Sequence, residues 1–185
     1  MSRMQRLAPT PSPLRAGAER YALRVAAPAD IAAVHALIRE HGPSPWNYLA
    51  EPALSEHLRA IGRGVDAVLA TLDGALVAAT TYADSDDFAC YQSAGRERAR
   101  HGHIGEVVVH RDHRGAGLGA RLLGEAVARL RARGLIEIYA ERHEENAGSA
   151  GMMRKAGFAP IDSYHDPVRR SVGSGRTAVC VHRPP

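Results

Sequence analysis

The segment that most constrains this chain lies near its middle, where a β-branched run leads into a cluster of glycines. Val107, Val108 and Val109 are followed by a short polar stretch and then by Gly115 and Gly117. The valines predict a strand, and the apolar spacing beyond the glycines predicts an amphipathic helix. Because glycine carries no Cβ, the first N–H groups of that helix are open to a ligand, and the helix dipole favours negative charge there. The segment therefore predicts a phosphate-binding helix N-terminus.

Two other interpretations of these glycines remain open. A glycine-rich turn before a helix is often only a tight connection. Gly115, Gly117 and Ala120 also fit the spacing of a dinucleotide-binding motif, with Glu141 at the distance where that motif has an acidic residue. Against a dinucleotide site, residues 110–114 separate the strand from the first glycine. The chain after Glu141 is also too short for the further strand–helix units of a Rossmann domain.

The rest of the sequence predicts one domain of alternating strands and helices. At 185 residues the chain can bury one sizeable core. Residues 1–19, which contain spaced prolines, are predicted to form a flexible arm, and residues 20–185 a single domain. Strands are predicted at 21–25, 65–72, 75–82, 104–110, 135–141, 158–161 and 178–182, and helices at 28–42, 52–61, 118–133 and 147–156.

The connections between these elements carry further signals. Asp73-Gly74 predicts a tight hairpin between two of the strands. Residues 84–102 are polar and are predicted to be irregular, with a short helical piece at 96–100. The resulting order β-α-α-β-β-β-α-β-α-β-β predicts an α/β fold with helices on both faces of one sheet.

The Arg-x-x-Gly-x-Gly pattern at residues 114–119, placed after a strand, resembles the acyl-CoA diphosphate loop of the GNAT superfamily of N-acetyltransferases. The order of elements is also similar, so the resemblance spans about residues 21–183. It implies a mixed, mostly antiparallel sheet of about seven strands with a splayed central strand pair, and acetyl-CoA as co-substrate. The residues that it assigns to acetyl-CoA are Val107, Val108 and Val109 for the pantetheine arm, Arg114, Gly115, Ala116, Gly117, Leu118 and Gly119 for the diphosphate, and Asn146 for the pantetheine. Asn146 equally fits a helix N-cap.

Two carboxylates are candidates for a general base, which the reaction needs because an alkylamine is mostly protonated at neutral pH. Glu106 interrupts an apolar strand, and strand alternation places it on the same side as Val108. It resembles the acidic residue that some superfamily members carry beside the acetyl group. Glu141 resembles the base of the N-acetyltransferases that modify ribosomal proteins. Each is also consistent with an exposed charge at a strand end.

Met153 departs from the superfamily pattern, which often has a tyrosine at this position to protonate the departing thiolate. A thioether cannot donate a proton. Three explanations stay open: water suffices, Ser149 or Tyr164 substitutes, or the protein binds acyl-CoA with little catalysis. The resemblance thus implies an acetyl-CoA-dependent N-acyltransferase that works by direct attack, with a non-catalytic acyl-CoA-binding or regulatory module as the alternative.

The acceptor is expected to be a small amine or a peptide amine. The resemblance places its site among the loop after the first helix, the loop after the hairpin and the C-terminal strands, with Trp46, Tyr48 and Tyr91 as candidate contacts and the segment 164–170 nearby. The histidines have no metal-ligand spacing, and the arginine clusters lack interleaved aromatics, so neither a metal nor a nucleic acid is expected. No apolar run is long enough for a membrane helix, and two cysteines fit a reducing cytoplasm. Edge strands near the C-terminus are compatible with a homodimer.

Overall fold

The computed structural model describes residues 20–184. The predicted flexible arm at 1–19 lies outside the described residues. The strands are β1 (Ala22–Val25), β2 (Val65–Leu72), β3 (Ala75–Ser85), β4 (His101–Val109), β5 (Ile138–His143), β6 (Ala159–His165) and β7 (Arg176–His182). The α-helices are α1 (Ile31–His41), α2 (Glu51–Arg59), α3 (Leu118–Ala132) and α4 (Ala147–Lys155).

All seven strands form one open sheet in the order β1-β2-β3-β4-β5-β7-β6. The neighbouring strands are antiparallel except for β4 and β5, which are parallel. The predicted α/β class, the mostly antiparallel sheet and the order of elements are therefore confirmed.

Helices cover both faces of this sheet, and each face has its own core. Leu122 and Leu123 of α3 pack with Ile104 and Ile138 of the central strands on one face. On the other face, the buried side of α1 and α2 packs against the neighbouring strand residues, which include Val108. Successive residues of β4 thus alternate between two cores, as the period of a strand requires.

The central strand pair splays apart, and this opening positions the site. The pairing of β4 with β5 covers only Gly102 to Ile104, opposite Ile138 to Ala140. Beyond Ile104, β4 keeps its bonds to β3 but has no partner on the β5 side, while β5 continues to pair with β7 as far as His143. A register shift between β3 and β4 at the same point places an extra residue in β4, around Gly105 and Glu106.

The hairpin and the bounds of several elements test the sequence predictions further. Asp73 and Gly74 have φ angles of 50° and 83°, the left-handed pair that a two-residue hairpin needs, so that prediction is confirmed. The predicted helical piece at 96–100 is wrong, because these residues form isolated turns and the short helix lies at Ala89–Tyr91. The strand predicted from residue 135 begins at Ile138. The first pair between β4 and β5 joins Gly102, near the start of β4, to Ile138, so the ladder with β4 does not extend to the residues before Ile138.

Candidate active site

A cavity of about 630 Å³ begins at the opening between β4 and β5. Its floor is the open edge of β4 from Ile104 to Val109. The loop before α3 and the first turns of α3 and α4 form one end. The residues of the other end come from two loops and two strands, and they include Trp46, Glu106, Glu141 and Arg170.

The glycine loop has the geometry that a diphosphate needs. Gly115 and Gly117 have φ angles of 83° and 77°, and a Cβ at either position would have no atom within 4 Å. Gly117 is the N-cap of α3. Within the described residues, the N–H groups from Gly115 to Ala120 donate no hydrogen bond. Free donors at the N-terminus of a long helix are suited to an anion.

Arg114 and Gly119 have structural contacts beside this loop. The Arg114 guanidinium lines the cavity and donates to the His41 carbonyl at 2.8 Å, which ties the loop to the end of α1. Gly119 lies against α4, and a Cβ there would collide with the sulfur of Met152. A side chain at position 119 would therefore need the Met152 side chain to move.

The predicted pantetheine residues line the cavity. Val107 to Val109 present to it the backbone groups that β5 does not pair, while their side chains pack in the two cores. Asn146 lies across the opening and is the N-cap of α4, because its Oδ1 accepts from the Ser149 N–H at 2.9 Å. That bond leaves the side-chain amide N–H groups of Asn146 for a ligand.

Glu106 lies in the irregular part of β4, where the register shift occurs. Its backbone N–H donates to Thr81 Oγ1 at 2.8 Å, and the same hydroxyl is 2.8 Å from His57 Nε2 of α2. The carboxylate is half-buried in the cavity wall and accepts no hydrogen bond from any of residues 20–184. Burial raises the pKa of Glu106, and the positive charge of Arg170 offsets part of this rise.

Glu141 has a different environment at the end of β5. One oxygen accepts from the Tyr164 hydroxyl at 2.6 Å, and the other accepts from Arg169 Nη1 at 2.9 Å. Arg169 also contacts the Tyr164 hydroxyl. Both oxygens of Glu141 are therefore held by partners, whereas those of Glu106 are not.

Comparison with known proteins settles the family. Residues 31–158 match the model of the acetyltransferase (GNAT) family. The chain belongs to the GNAT family. No curated protein is recognisably similar in sequence.

Solved structures show the same fold at low sequence identity. NAA60 of Arabidopsis thaliana, solved with acetyl-CoA, has a TM-score of 0.70 at 15% identity, over 88% of this chain and 98% of that one. A GNAT-family acetyltransferase of Streptococcus pneumoniae has a TM-score of 0.66 at 20% identity, over 89% and 99% of the two chains. The ribosomal-protein-alanine N-acetyltransferase of Brucella melitensis has a TM-score of 0.64 at 20% identity, over 88% and 99%.

Met153 and the two candidate proton donors, Ser149 and Tyr164, lie in different places in this GNAT domain. Met153 is buried in the core beside the cavity, where it cannot donate. Ser149 lines the cavity on the first turn of α4. Tyr164 lies outside the cavity, behind Glu141, where burial and its hydrogen bond to Glu141 raise the pKa of Tyr164 to about 12.

The predicted acceptor contacts do not converge on one place. Trp46 lines the same end of the main cavity as Glu106, with its ring 4.7 Å from that of His143. Tyr91 lines a second cavity of about 460 Å³, and its hydroxyl donates to Asp162 at 2.8 Å. Tyr48 is 55% exposed and lines neither cavity.

Within the segment 164–170, which the resemblance placed near the acceptor, the structure singles out the buried arginine Arg170 in the loop between β6 and β7. The histidine-rich segment from 101 to 113 remains without a metal site. Within residues 20–184, no three His, Cys, Asp or Glu side chains are grouped to hold an ion. The described helices include none that is long and apolar enough to cross a membrane.

Proposed function

We propose that this chain is an acetyl-CoA-dependent N-acetyltransferase that moves an acetyl group directly onto an amine, with Glu106 as general base. The observation that carries this proposal is the course of the main cavity. It runs from the free N–H groups of the glycine loop, along the unpaired edge of β4, to a half-buried carboxylate that has no hydrogen-bond partner in the described part of the chain.

The residues of the cavity fit acetyl-CoA. The N–H groups at Gly115 to Ala120 would hold the diphosphate, and the Arg114 side chain adds positive charge beside them. The open edge of β4 at Val107 to Val109 would bind the pantetheine amides as an added strand does, and the Asn146 amide faces that edge. Acetyl-CoA supplies the acetyl thioester at the far end of this path.

The protein's own groups then act on the amine. Glu106 accepts the proton of the incoming ammonium, directly or through water, because its raised pKa makes the ionised form a stronger base than an exposed carboxylate. An unpaired N–H of β4 donates to the thioester oxygen as that oxygen gains negative charge. Ser149 or water protonates the sulfur, whose ordinary pKa already makes it a fair leaving group.

Glu141 is assigned a structural role in this proposal. Both oxygens of Glu141 accept hydrogen bonds from Tyr164 and Arg169, whereas those of Glu106 accept none from the described residues, so Glu106 is the more available carboxylate. The acceptor class stays at an amine, small or peptidic. Structures such as Arabidopsis thaliana NAA60 with a bisubstrate analogue support an amine acceptor in this fold, but at 15% identity they do not define it.

The second candidate function is a non-catalytic acyl-CoA-binding module, which Met153 in place of the usual tyrosine favours. Release of free thiol from acetyl-CoA separates the two functions. The acceptors to be tested are amino acids, simple amines, amino sugars and short peptides. We expect the purified protein to release thiol from acetyl-CoA only when one of these acceptors is present. Binding of acetyl-CoA with no amine-dependent thiol release for any of these acceptors would favour the module.

A further inference from the structure

We infer that the acceptor carries a carboxylate close to its amine, as a free amino acid does, and that Arg170 binds this carboxylate. The inference rests on the proposed function and names its acceptor class. It depends on three observations: the fixed position of Arg170, its lack of an ion pair, and its place in the same cavity as Glu106.

Arg170 is held rigidly in the loop between β6 and β7. Its Nε donates to Thr177 Oγ1 at 2.9 Å, and the Thr177 hydroxyl donates to Asp166 Oδ2 at 2.8 Å. Its backbone N–H donates to the Asp166 carbonyl at 2.8 Å, and Nη1 donates to the Trp46 carbonyl at 3.4 Å. These bonds occupy Nε and one N–H of Nη1, and they leave Nη2 without a hydrogen-bond partner among the described residues.

The charge of Arg170 has no counter-ion in contact. The residue is only 9% exposed, and within residues 20–184 no carboxylate oxygen lies within 4 Å of its guanidinium nitrogens. Its neighbour Arg169, by contrast, pairs with both Glu141 and Asp166. Burial lowers the pKa of Arg170. A buried cation without a partner is costly, so this edge is suited to a ligand that brings an anion.

The position of Glu106 suits a second, positive charge on the same ligand. Glu106 and Arg170 line the same cavity and interact electrostatically, but they form no ion pair. The space that separates these two residues is thus bounded by the Glu106 carboxylate on one side and by the Arg170 guanidinium on the other. A molecule with an ammonium beside a carboxylate would place the ammonium at Glu106 and the carboxylate against Arg170, where a bidentate pair can form.

The loops at this end of the cavity are also tied to one another, which favours a small acceptor. The Arg170–Trp46 bond joins the β6–β7 loop to the loop between α1 and α2. The same β6–β7 loop is tied to the end of β5, because His143 Nε2 bonds to the Val172 carbonyl at 3.0 Å and the Ser174 N–H donates to Glu145 at 2.9 Å. These crossing contacts leave less room for a peptide chain than for a free amino acid.

The test compares each amino acid with its own amide as acceptor, by thiol release from acetyl-CoA. The amide removes the negative charge and keeps the side chain and the amine. At a given pH, a larger fraction of the amide than of the amino acid has a neutral amine, and this difference by itself favours the amide as acceptor. We expect the best amino acid to have a kcat/KM about 10- to 100-fold above that of its amide, as for a charged hydrogen-bond pair.

Variants assign this preference to the arginine. Arg170→Gln should bring the ratio of acid to amide close to one, and Arg170→Lys, which keeps the charge without the fork, should give an intermediate ratio. Arg98→Gln removes an exposed arginine that lines neither cavity, and it should leave the ratio unchanged. Thermal unfolding of each variant, with acetyl-CoA present, checks that the domain is folded.

Each other outcome has a definite meaning. If the wild type acetylates amides, simple amines or peptides at least as well as every amino acid, the inference is wrong and the proposed function stands. If Arg170→Gln lowers turnover of acid and amide equally, Arg170 is only structural and the inference is again wrong. If no amine of any class is acetylated, the proposed function and the inference fail together. If Arg170→Gln does not fold, the wild-type ratio and that of Arg170→Lys still decide.

Discussion

At the scale of single residues, the two candidate bases differ in what surrounds them. Glu106 and Glu141 are both acidic residues on the two central strands, and the sequence alone left both as candidates. The structure gives Glu141 two partners, Tyr164 and Arg169, and gives the Glu106 carboxylate none within the described residues. Arg169 lies 28 positions from Glu141 in the chain. Only the fold brings such a pair together, so no local pattern could predict it.

Replacing Glu106 tests its role directly. We expect Glu106→Gln to lower kcat by about 10²- to 10⁴-fold with the affinity for acetyl-CoA unchanged, because the amide cannot accept the proton of the amine. Glu141→Gln is the matched control and should lower kcat less than tenfold. Steady-state thiol release and acetyl-CoA titration measure the two quantities. A larger effect from Glu141→Gln than from Glu106→Gln would reverse the assignment.

The pH dependence follows from the raised pKa of Glu106. The base acts only when ionised, so kcat/KM should fall as the pH drops through this pKa. The midpoint of the fall should lie above the ordinary carboxyl pKa of about 4.3. The pH–rate profile of the wild type measures this limb. Its midpoint at or below the ordinary value would argue against Glu106 as the group that titrates.

At the scale of elements, the sequence predicted the regular parts well and the irregular parts poorly. The apolar spacing of α3 and the Asp73-Gly74 turn have local causes, a helical period and a pair of left-handed residues, and both are confirmed. The register shift at Gly105 and Glu106 has no local signal, because it arises from how β4 lies against Thr81 of β3. This shift places Glu106 in the cavity wall, so the feature that matters most for the proposed chemistry was the least predictable.

The start of α3 is tested by a substitution that blocks the anion site. Gly117→Val should abolish acetyl-CoA binding, because its side chain would enter the open space in front of the N–H groups. The positive φ angle should also cost about 1–2 kcal/mol of folding free energy. Gly124→Ala, at an exposed position in the same helix, is the control; it should stabilise the domain by about 0.5–1 kcal/mol and leave affinity intact. Wild-type affinity in Gly117→Val would refute the diphosphate site.

The contact between α3 and α4 makes a separate prediction about stability. Gly119→Ala should destabilise the domain by about 1–3 kcal/mol, because its methyl group meets the sulfur of Met152. Met152→Ala in the same chain should recover part of that loss, so the two substitutions should not be additive in chemical denaturation. Additive effects would show that the two side chains do not compete for the same space.

At the scale of the whole molecule, one cavity is assembled from segments far apart in the chain. The glycine loop, the splayed edge of β4 and the loop that carries Arg170 meet only because β5 leaves β4 to pair with β7. The sequence predicted the first two of these from local patterns and from the superfamily resemblance. It placed Arg170 near the acceptor only as part of the segment 164–170, because nothing in the pair Arg169-Arg170 distinguishes the paired arginine from the unpaired one. A homodimer stays a prediction, with β6 at the edge of the sheet.

Thermal unfolding of the protein with and without acetyl-CoA, with NAD as control, tests the central claim most directly. At about 100 times its Kd, acetyl-CoA should add about 2.7 kcal/mol to the free energy of unfolding and raise Tm by about 5–10 °C. NAD at the same concentration should leave Tm unchanged. An unchanged Tm with acetyl-CoA, or a rise with NAD alone, would contradict the account.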